Sequence, residues 1–277
     1  MGKSIKYLFL IYFATILASC SPERKLAAKF VRDLKPGAVL LLAPDVVFKN
    51  SYKVPDIDNF ESLPQEAQDS ALLNNSLLVQ YCDDSLYIKA FMDALSKGFQ
   101  SYGFSVNYNQ PVNQFPDAGK SSFIINIAQL QIEEYFDSIS DETSFDLEST
   151  NIFDFYITAL NLNQWMELSE VNREQKEPDL IFTTRKITDE FHGNFMYYLM
   201  SGDIEYEYSI DSLTVDKVYY FARKLGQLHA NWIIDYLMNE SIRNNMPEGR
   251  LPGKLFTYDP REKAIRRTNS LPVTRMQ

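Results

Sequence analysis

Two segments of the chain carry apolar residues at every third or fourth position, which is the spacing of one face of an α-helix. The first predicts a helix that Asp83 or Asp84 caps and Gly103 ends. The second predicts the longest helix, from residue 212 or 214 to about residue 244. A shorter helix is predicted within residues 62–75. The two long apolar stripes indicate helices that pack against a sheet.

Other segments have the patterns of β-strands. Residues 38–43 form an uninterrupted apolar run after Pro36-Gly37, which is typical of a strand buried on both faces. Between residues 203 and 210, apolar and acidic side chains alternate, and this alternation predicts a half-buried antiparallel strand. Further strands are predicted at residues 104–108, 123–132, 153–162 and 180–187.

Two details of the strand region bear on its geometry. The apolar positions change parity at Leu160 and Leu162, which predicts either a bulge or a strand covered on both sides. The segment His192-Gly193-Asn194 has the composition of a hairpin turn. Together the elements predict an α+β fold with α/β layers. In it, two or three helices, including the long C-terminal one, cover a mixed and largely antiparallel sheet.

The first twenty residues have the order of a secretory signal, with two lysines before an uncharged apolar run. That run is too short to cross a hydrocarbon core of about 30 Å comfortably. It ends in Leu17-Ala18-Ser19-Cys20, which resembles the lipobox of bacterial lipoproteins. The resemblance implies that Cys20 is lipidated, with acyl chains such as palmitate, and becomes the first residue of the mature protein. The alternatives are an ordinary signal peptide or an N-terminal anchor helix that happens to contain a cysteine.

With the lipobox interpretation, we predict four segments. They are a signal peptide (1–19), a tether (20–36), a single α/β domain (37–249) and a basic C-terminal tail with a possible hairpin (250–277). The tail holds seven basic and two acidic residues, although the formal net charge of the chain is -10. An acidic body argues against nucleic acid as a partner, because phosphate binding requires a basic surface.

The chain has two cysteines. If lipid modification uses Cys20, no second cysteine remains to pair with Cys82. We therefore expect Cys82 to be a buried small hydrophobic residue.

No motif predicts catalysis, a cofactor or a metal ion. His192 and His229 lack the spacing of zinc ligands, and His229 lies on the apolar stripe of the longest helix, where core histidines are common. Residues 133–154 hold eight acidic side chains and no basic one, but their spacing does not fit a calcium loop. We interpret that segment as a solvated acidic loop. Residues 117–121 resemble a phosphate loop, but Gln114 stands where the first glycine is required.

The chain is rich in aromatic residues, with 17 Tyr and 19 Phe. One interpretation is a sugar-binding platform, to which the candidate contributors are Trp165, Tyr197, Tyr198, Tyr206 and Tyr208. Core packing is the favoured interpretation, because these tyrosines fall on the expected inner faces of strands.

The order of elements resembles the α/β lipoprotein domain of three groups. These are curli-secretion lipoproteins, lipoprotein activators of peptidoglycan synthases and auxiliary lipoproteins of envelope transporters. The resemblance rests on Cys20, the apolar strand at 38–43, the segment 102–106 and the long C-terminal helix. It implies a non-enzymatic adaptor or assembly factor, and Cys20 is the only functional residue that transfers.

We therefore predict a lipid-anchored, non-catalytic accessory factor of an outer-membrane or envelope transport complex. Its predicted place is the outer membrane, with the domain facing the periplasm in preference to the cell surface. The predicted partners are the membrane, through the lipid on Cys20, and envelope proteins. One alternative is a surface-displayed glycan-binding lipoprotein, and a further alternative is a hydrolase with an unrecognised site.

Overall fold

The computed structural model describes residues 21–34, 37–54, 59–115, 122–144, 150–171, 177–247 and 252–276. Its helices are α1 (Pro22–Asp33), α2 (Gln65–Asn74), α3 (Asp84–Ser101) and α4 (Val215–Asn245). Its strands are β1 (Ala38–Leu42), β2 (Val47–Ser51), β3 (Ser105–Tyr108), β4 (Ser122–Thr143), β5 (Asn151–Glu170), β6 (Asp179–Thr188), β7 (Glu190–Tyr197), β8 (Ile204–Asp211), β9 (Leu255–Asp259), β10 (Ala264–Thr268) and β11 (Thr274–Arg275).

The predicted lipidation residue Cys20 and the segment 117–121 lie outside the described residues. Within the ranges given above, none of the helices has the combined length and apolar character required to cross a membrane.

Seven of the described strands form one mixed sheet in the order β11-β6-β5-β4-β1-β3, and β2 also pairs with β4. β1 runs parallel to β3 and β4, and β2 runs parallel to β4. The pairs β4–β5, β5–β6 and β6–β11 are antiparallel. The predicted α+β class, with its mixed sheet and long C-terminal helix, is confirmed.

One face of the sheet, which we call the helix face, packs against α3 and α4. Its buried strand residues include Ile125, Ile127, Leu130, Ile132, Leu160, Leu162, Met166 and Ile181. A bulge between Ile127 and Gln129 shifts the register of β4, so that even-numbered residues face the helices beyond it. Gly226 allows α3 and α4 to approach closely, because a Cβ there would lie 2.1 Å from the backbone oxygen of Phe91.

The interpretation of residues 133–154 as an acidic loop was wrong for most of the segment, because β4 continues to Thr143 and β5 begins at Asn151, while residues 145–149 lie outside the described residues. Strand alternation divides the acidic side chains of β4 between two faces of the ribbon, with Glu133, Asp137 and Asp141 on one face and Glu134 and Glu142 on the other. Glu134, for example, points to the helix face, whereas Asp137 lies on the other face beside Lys186.

β7 and β8 form a hairpin that packs on the part of β4 and β5 farthest from β1. The rings of Phe153 in β5 and Tyr206 in β8 are stacked with their centroids 3.9 Å apart. Odd-numbered residues of β5 up to Ala159 therefore face the hairpin side, whereas even-numbered residues from Leu160 face the helices. The change of apolar parity at Leu160 and Leu162 therefore reflects a strand that is covered on both sides, by the hairpin on one face and by the helices on the other.

The prediction of a hairpin turn at His192-Gly193-Asn194 was wrong, because these residues lie within β7 and the turn follows at 198–203. Gly193 serves a different purpose there. A Cβ on it would lie 2.2 Å from the hydroxyl oxygen of Tyr206, so the glycine makes room for that ring. From the sequence, a strand glycine that makes room for an aromatic ring cannot be distinguished from a glycine in a turn.

The described residues on both sides of the predicted domain 37–249 pack against it. β9 and β10 form an antiparallel hairpin, and β11 adds to the sheet beside β6. Ala27 of α1 and Phe256 of β9 form a small buried cluster with Met238 and Ile242 of α4. α1 and this hairpin therefore lie on the second half of α4, where their apolar residues are removed from water.

Candidate functional site

The face of the sheet opposite to the helix face carries amide, carboxyl and aromatic side chains. We call this surface, formed by β2, β4, β5 and β6, the open face. Its residues are Phe48, Asn50, Gln129, Gln131, Glu133, Tyr135, Asn161, Asn163, Trp165, Phe182, Thr184 and Lys186. All of them are half-buried or exposed except Asn163, which is buried.

The strand registers arrange these side chains in rows across the sheet. One row runs through Asn50, Glu133, Asn161 and Lys186 on four neighbouring strands. The next row contains Phe48, Gln131, Asn163 and Thr184, and a third contains Gln129, Trp165 and Phe182. Since paired residues project from the same side of a sheet, the rows form a continuous polar and aromatic surface.

Glu133 is the centre of the hydrogen bonds on the open face. Its Oε1 accepts from the Tyr52 hydroxyl at 3.4 Å and from Gln131 Nε2 at 3.2 Å, and its Oε2 accepts from Asn161 Nδ2 at 3.4 Å. These distances are long for hydrogen bonds, so the contacts are weak. A carboxylate has about four acceptor positions, and Glu133 therefore keeps the capacity to accept hydrogen bonds from a ligand.

The two tyrosines beside Glu133 are hydrogen-bond donors at neutral pH. Burial, followed by the charge of Glu133, raises the pKa of Tyr52. Burial also raises the pKa of Tyr135. The positive charge of Lys186 lowers this pKa, whereas the negative charges of Asp137 and Glu133 raise it further. The Tyr135 hydroxyl donates to Asn161 Oδ1 at 3.2 Å. The open face thus offers neutral donors around one anionic acceptor.

Aromatic rings lie among these polar groups. Trp165 of β5 and Phe182 of β6 have ring centroids 4.8 Å apart, and Phe48 is 50% exposed on β2, which pairs with the other side of β4. Rings with an apolar face beside amides and a carboxylate can bind a ligand that is apolar on its broad side and rich in hydroxyl groups at its edge.

Of the five aromatic residues that the sequence suggested for a sugar platform, only Trp165 belongs to the open face. Tyr206 and Tyr208 belong to the aromatic cluster of the β7–β8 hairpin, where Tyr206 also donates to Asp141 Oδ2 at 3.1 Å. Of the two interpretations of the aromatic residues, core packing is therefore the one that fits Tyr206. Tyr197 and Tyr198 are exposed beside the turn of the hairpin.

His229 is a core histidine, as predicted. Its Nδ1 donates to the carbonyl oxygen of Leu225 at 2.7 Å, and its Nε2 lies 2.6 Å from the Thr183 hydroxyl. A carbonyl can only accept, so the proton is on Nδ1 and Nε2 accepts. Burial lowers the pKa of His229 to about 4. Cys82 is buried as expected, and burial raises the pKa of its thiol to about 11.

A buried ion pair that sequence reasoning missed joins the segment after β2 to β4 on the helix face. Lys53 Nζ lies 2.8 Å from Glu134 Oε1, with 1% and 0% of the two side chains exposed. Glu134 also accepts from the backbone amides of residues 77–79 at 2.7–3.0 Å. Desolvation raises the pKa of Glu134, but the hydrogen bonds from Lys53 and these amides outweigh it, so the pKa is lowered.

Sequence reasoning identified neither Glu133 nor the amide residues around it as site residues. The available signal was the alternation of Asn161 and Asn163 with apolar residues. Its meaning depends on the strand register, which the sequence does not provide. Among the described residues, no group of three or more His, Cys, Asp or Glu side chains could hold a metal ion.

No protein-family model and no curated protein matches the sequence. Among solved structures, the chain is similar to a neuraminyllactose-binding hemagglutinin homolog from Helicobacter pylori. The two share 13% sequence identity over 76% of this chain and 88% of the other, with a TM-score of 0.28. A TM-score this low does not indicate a shared fold.

Proposed function

We propose that the protein is a lipid-anchored, non-catalytic binding protein of the bacterial cell envelope, and that the open face binds a glycan. The observation that supports this most strongly is the combination of Glu133, amide side chains and aromatic rings in rows across four strands. A sugar ring has an apolar face for an aromatic side chain, and its hydroxyl groups both donate and accept hydrogen bonds.

The dimensions of the open face favour a short oligosaccharide over a single sugar. Neighbouring strands lie about 4.8 Å apart, so the rows from β6 to β2 extend about 14 Å. The hydrogen-bonding groups of this surface are distributed along each row. Several weak contacts of this kind are suited to an extended ligand.

The arrangement of carboxylates supports binding without hydrolysis. Glycoside hydrolysis requires two carboxyl groups that flank one bond, of which one is an acid. Near Glu133 on this face, the next carboxylate along β4 is Asp137, and it forms an ion pair with Lys186 at 2.6 Å. The Lys186 ammonium donates to this carboxylate, so Asp137 is already engaged as a hydrogen-bond acceptor.

Glu133→Gln should weaken glycan binding about 10- to 100-fold, because it removes charge-assisted hydrogen bonds worth about 1.5–3 kcal/mol while keeping the side-chain shape. The measurement is binding of the chain from Ser21 onward to a panel of cell-surface and cell-wall oligosaccharides. Glu142→Gln is the matched control, since Glu142 is exposed on the opposite side of the same strand. Equal loss in both variants would contradict a site at Glu133.

The lipid anchor has its own test. Mass spectrometry of the mature protein should show acyl chains on Cys20, because the lipobox-like Leu17-Ala18-Ser19-Cys20 directs cleavage before a lipidated cysteine. Cys20→Ala should leave an unprocessed precursor without acyl chains. An unmodified, freely diffusing mature protein from wild-type cells would refute the anchor.

A second candidate function is that of an assembly factor which contacts envelope proteins through the turn of the β7–β8 hairpin. Leu199 is 87% exposed there, and Met200 beside it is fully exposed. Large apolar side chains at a protruding turn are typical of contact sites. If Leu199→Ser with Met200→Ser abolishes co-purification of partners from native membranes, this function is supported. Unchanged co-purification would count against it.

A further inference from the structure

The outer surface of the helix layer is basic, although the chain as a whole has a formal net charge of -10. Along the groove between α3 and α4 lie Lys89, Lys97, Arg223 and Lys224, all of them exposed. Asp93 pairs with Lys89 at 2.9 Å. The groove therefore keeps a positive balance within an acidic protein.

Apolar and aromatic side chains accompany these cations. Leu86 is exposed at the start of α3, and Tyr220 is exposed on α4. The ammonium group of Lys224 lies 4.5 Å from the centre of the Tyr220 ring. Long basic side chains beside exposed Leu and Tyr are typical of surfaces that contact the headgroup region of a bilayer.

The basic surface continues past this groove. At 100° per residue, Lys224, Asp235 and Ile242 fall on one side of α4. The Asp235 carboxylate accepts from the backbone amide of Tyr258 in β9, and Ile242 packs with the cluster formed by α1 and β9. The β9–β10 hairpin and α1 therefore cover the same outer side of α4 that carries Lys224.

Both covering elements bring further cations. Arg261 and Arg266 of the hairpin line a second groove together with Lys224, Asp235 and Asp259, and Arg266 pairs with Glu262. Over residues 255–268 the hairpin holds four basic and two acidic residues, so its balance is still positive. On α1, Ala27 is buried against α4, whereas Lys25 and Arg32 are exposed on the side turned away from it. The basic surface thus extends from α3 to the helix that begins two residues after Cys20.

We propose that this surface, which we call the basic layer, docks onto a bilayer that contains anionic phospholipids. Positive charge complements anionic headgroups, and the exposed Leu86 and Tyr220 can enter the interface. The basic layer ends at α1, which Ser21 caps. The orientation rests on the proposed lipid at Cys20, whose acyl chains would hold this end of the molecule at the bilayer. The open face, on the other side of the sheet, then points away from the membrane toward its ligand.

The test uses the unlipidated chain from Ser21 onward, which contains every described residue, with vesicles in a sedimentation assay. We expect binding to mixed phosphatidylglycerol–phosphatidylcholine vesicles, no comparable binding to phosphatidylcholine alone, and a decrease as salt is raised. Lys97→Gln with Lys224→Gln should weaken binding about fivefold for each cation removed, and hence about 25-fold together. Arg185→Gln with Lys186→Gln is the matched control, because both residues are exposed on β6 and the net charge changes equally.

Circular dichroism of each variant verifies that it remains folded, since all four side chains are exposed. Equal vesicle binding by the two double variants would overturn the proposal. So would binding that does not depend on phosphatidylglycerol, or binding of soluble polyglutamate without binding of vesicles. Glycan binding by Glu133 is measured separately, so either proposal can fail while the other stands.

Discussion

Lys53→Met should lower the free energy of unfolding by about 3–5 kcal/mol, because it leaves the Glu134 carboxylate buried without its cation. Lys53 is the only cation within ion-pair distance of Glu134 among the described contacts, and neither side chain is exposed beyond 1%. The three backbone amides that donate to Glu134 keep part of its stabilisation. The measurement is chemical denaturation at neutral pH.

The matched control is Lys186→Met, which breaks the pair with Asp137 on the other face of the same sheet. That pair is slightly shorter, at 2.6 Å against 2.8 Å, but Lys186 is 47% and Asp137 30% exposed. Exposed pairs contribute about 0–1 kcal/mol, so this variant should change the free energy of unfolding little. Lys53→Met with Glu134→Gln should recover part of the loss, since no unpaired charge remains. If Lys53→Met and Lys186→Met lower the free energy of unfolding by similar amounts, burial of the ion pair does not determine the loss of stability.

The second large effect is a loss of stability in acid that depends on His229. Its pKa is about 4 in the folded protein and about 6.5 in an unfolded chain. Between these values the unfolded state binds a proton that the folded state does not bind. The stabilisation is therefore complete above pH 6.5 and is lost as the pH falls toward 4, by about 3 kcal/mol in all.

Comparison of variants isolates this contribution. Asp235 has a pKa raised by burial to about 7, so its contribution to stability decreases from about pH 4 to pH 7, opposite to that of His229. Asp235 contributes equally to wild type and to His229→Gln, so its contribution cancels in the difference between their free energies of unfolding. That difference should shrink as the pH falls from 6.5 to 4. His192→Gln, at the other and exposed histidine, is the control. A difference independent of pH would contradict the assignment of a neutral buried imidazole.

The two long helices could be predicted from sequence because their apolar stripes and caps are local signals. Asp83 caps α3 through a hydrogen bond to the Leu86 amide, and Thr214 caps α4 through one to the Lys217 amide. The alternation that predicted β8 is likewise local. Each of these features depends on residues within one element, so a single sequence contains the information.

The open face and the buried ion pair could not be predicted, because they depend on pairing between distant strands. Glu133 meets Asn161 and Lys186 only after β4, β5 and β6 adopt one register. Glu134 lies in β4, and Lys53 follows the end of β2 by two residues. The parallel pairing of β2 with β4 has no signature in composition. The run of acids at 133–154 gave a misleading local signal, since alternation distributes its charges over two faces.

The most direct test of glycan binding on the open face is the fluorescence of Trp165. The chain has two tryptophans, and Trp232 lies in the helix layer against His229. In a Trp232→Phe variant, Trp165 is the single reporter. Titration with an oligosaccharide that the protein binds should change the Trp165 emission saturably, and the further change Glu133→Gln should shift the midpoint to higher concentration. A bound oligosaccharide that leaves the Trp165 emission unchanged would contradict the open face as the binding site.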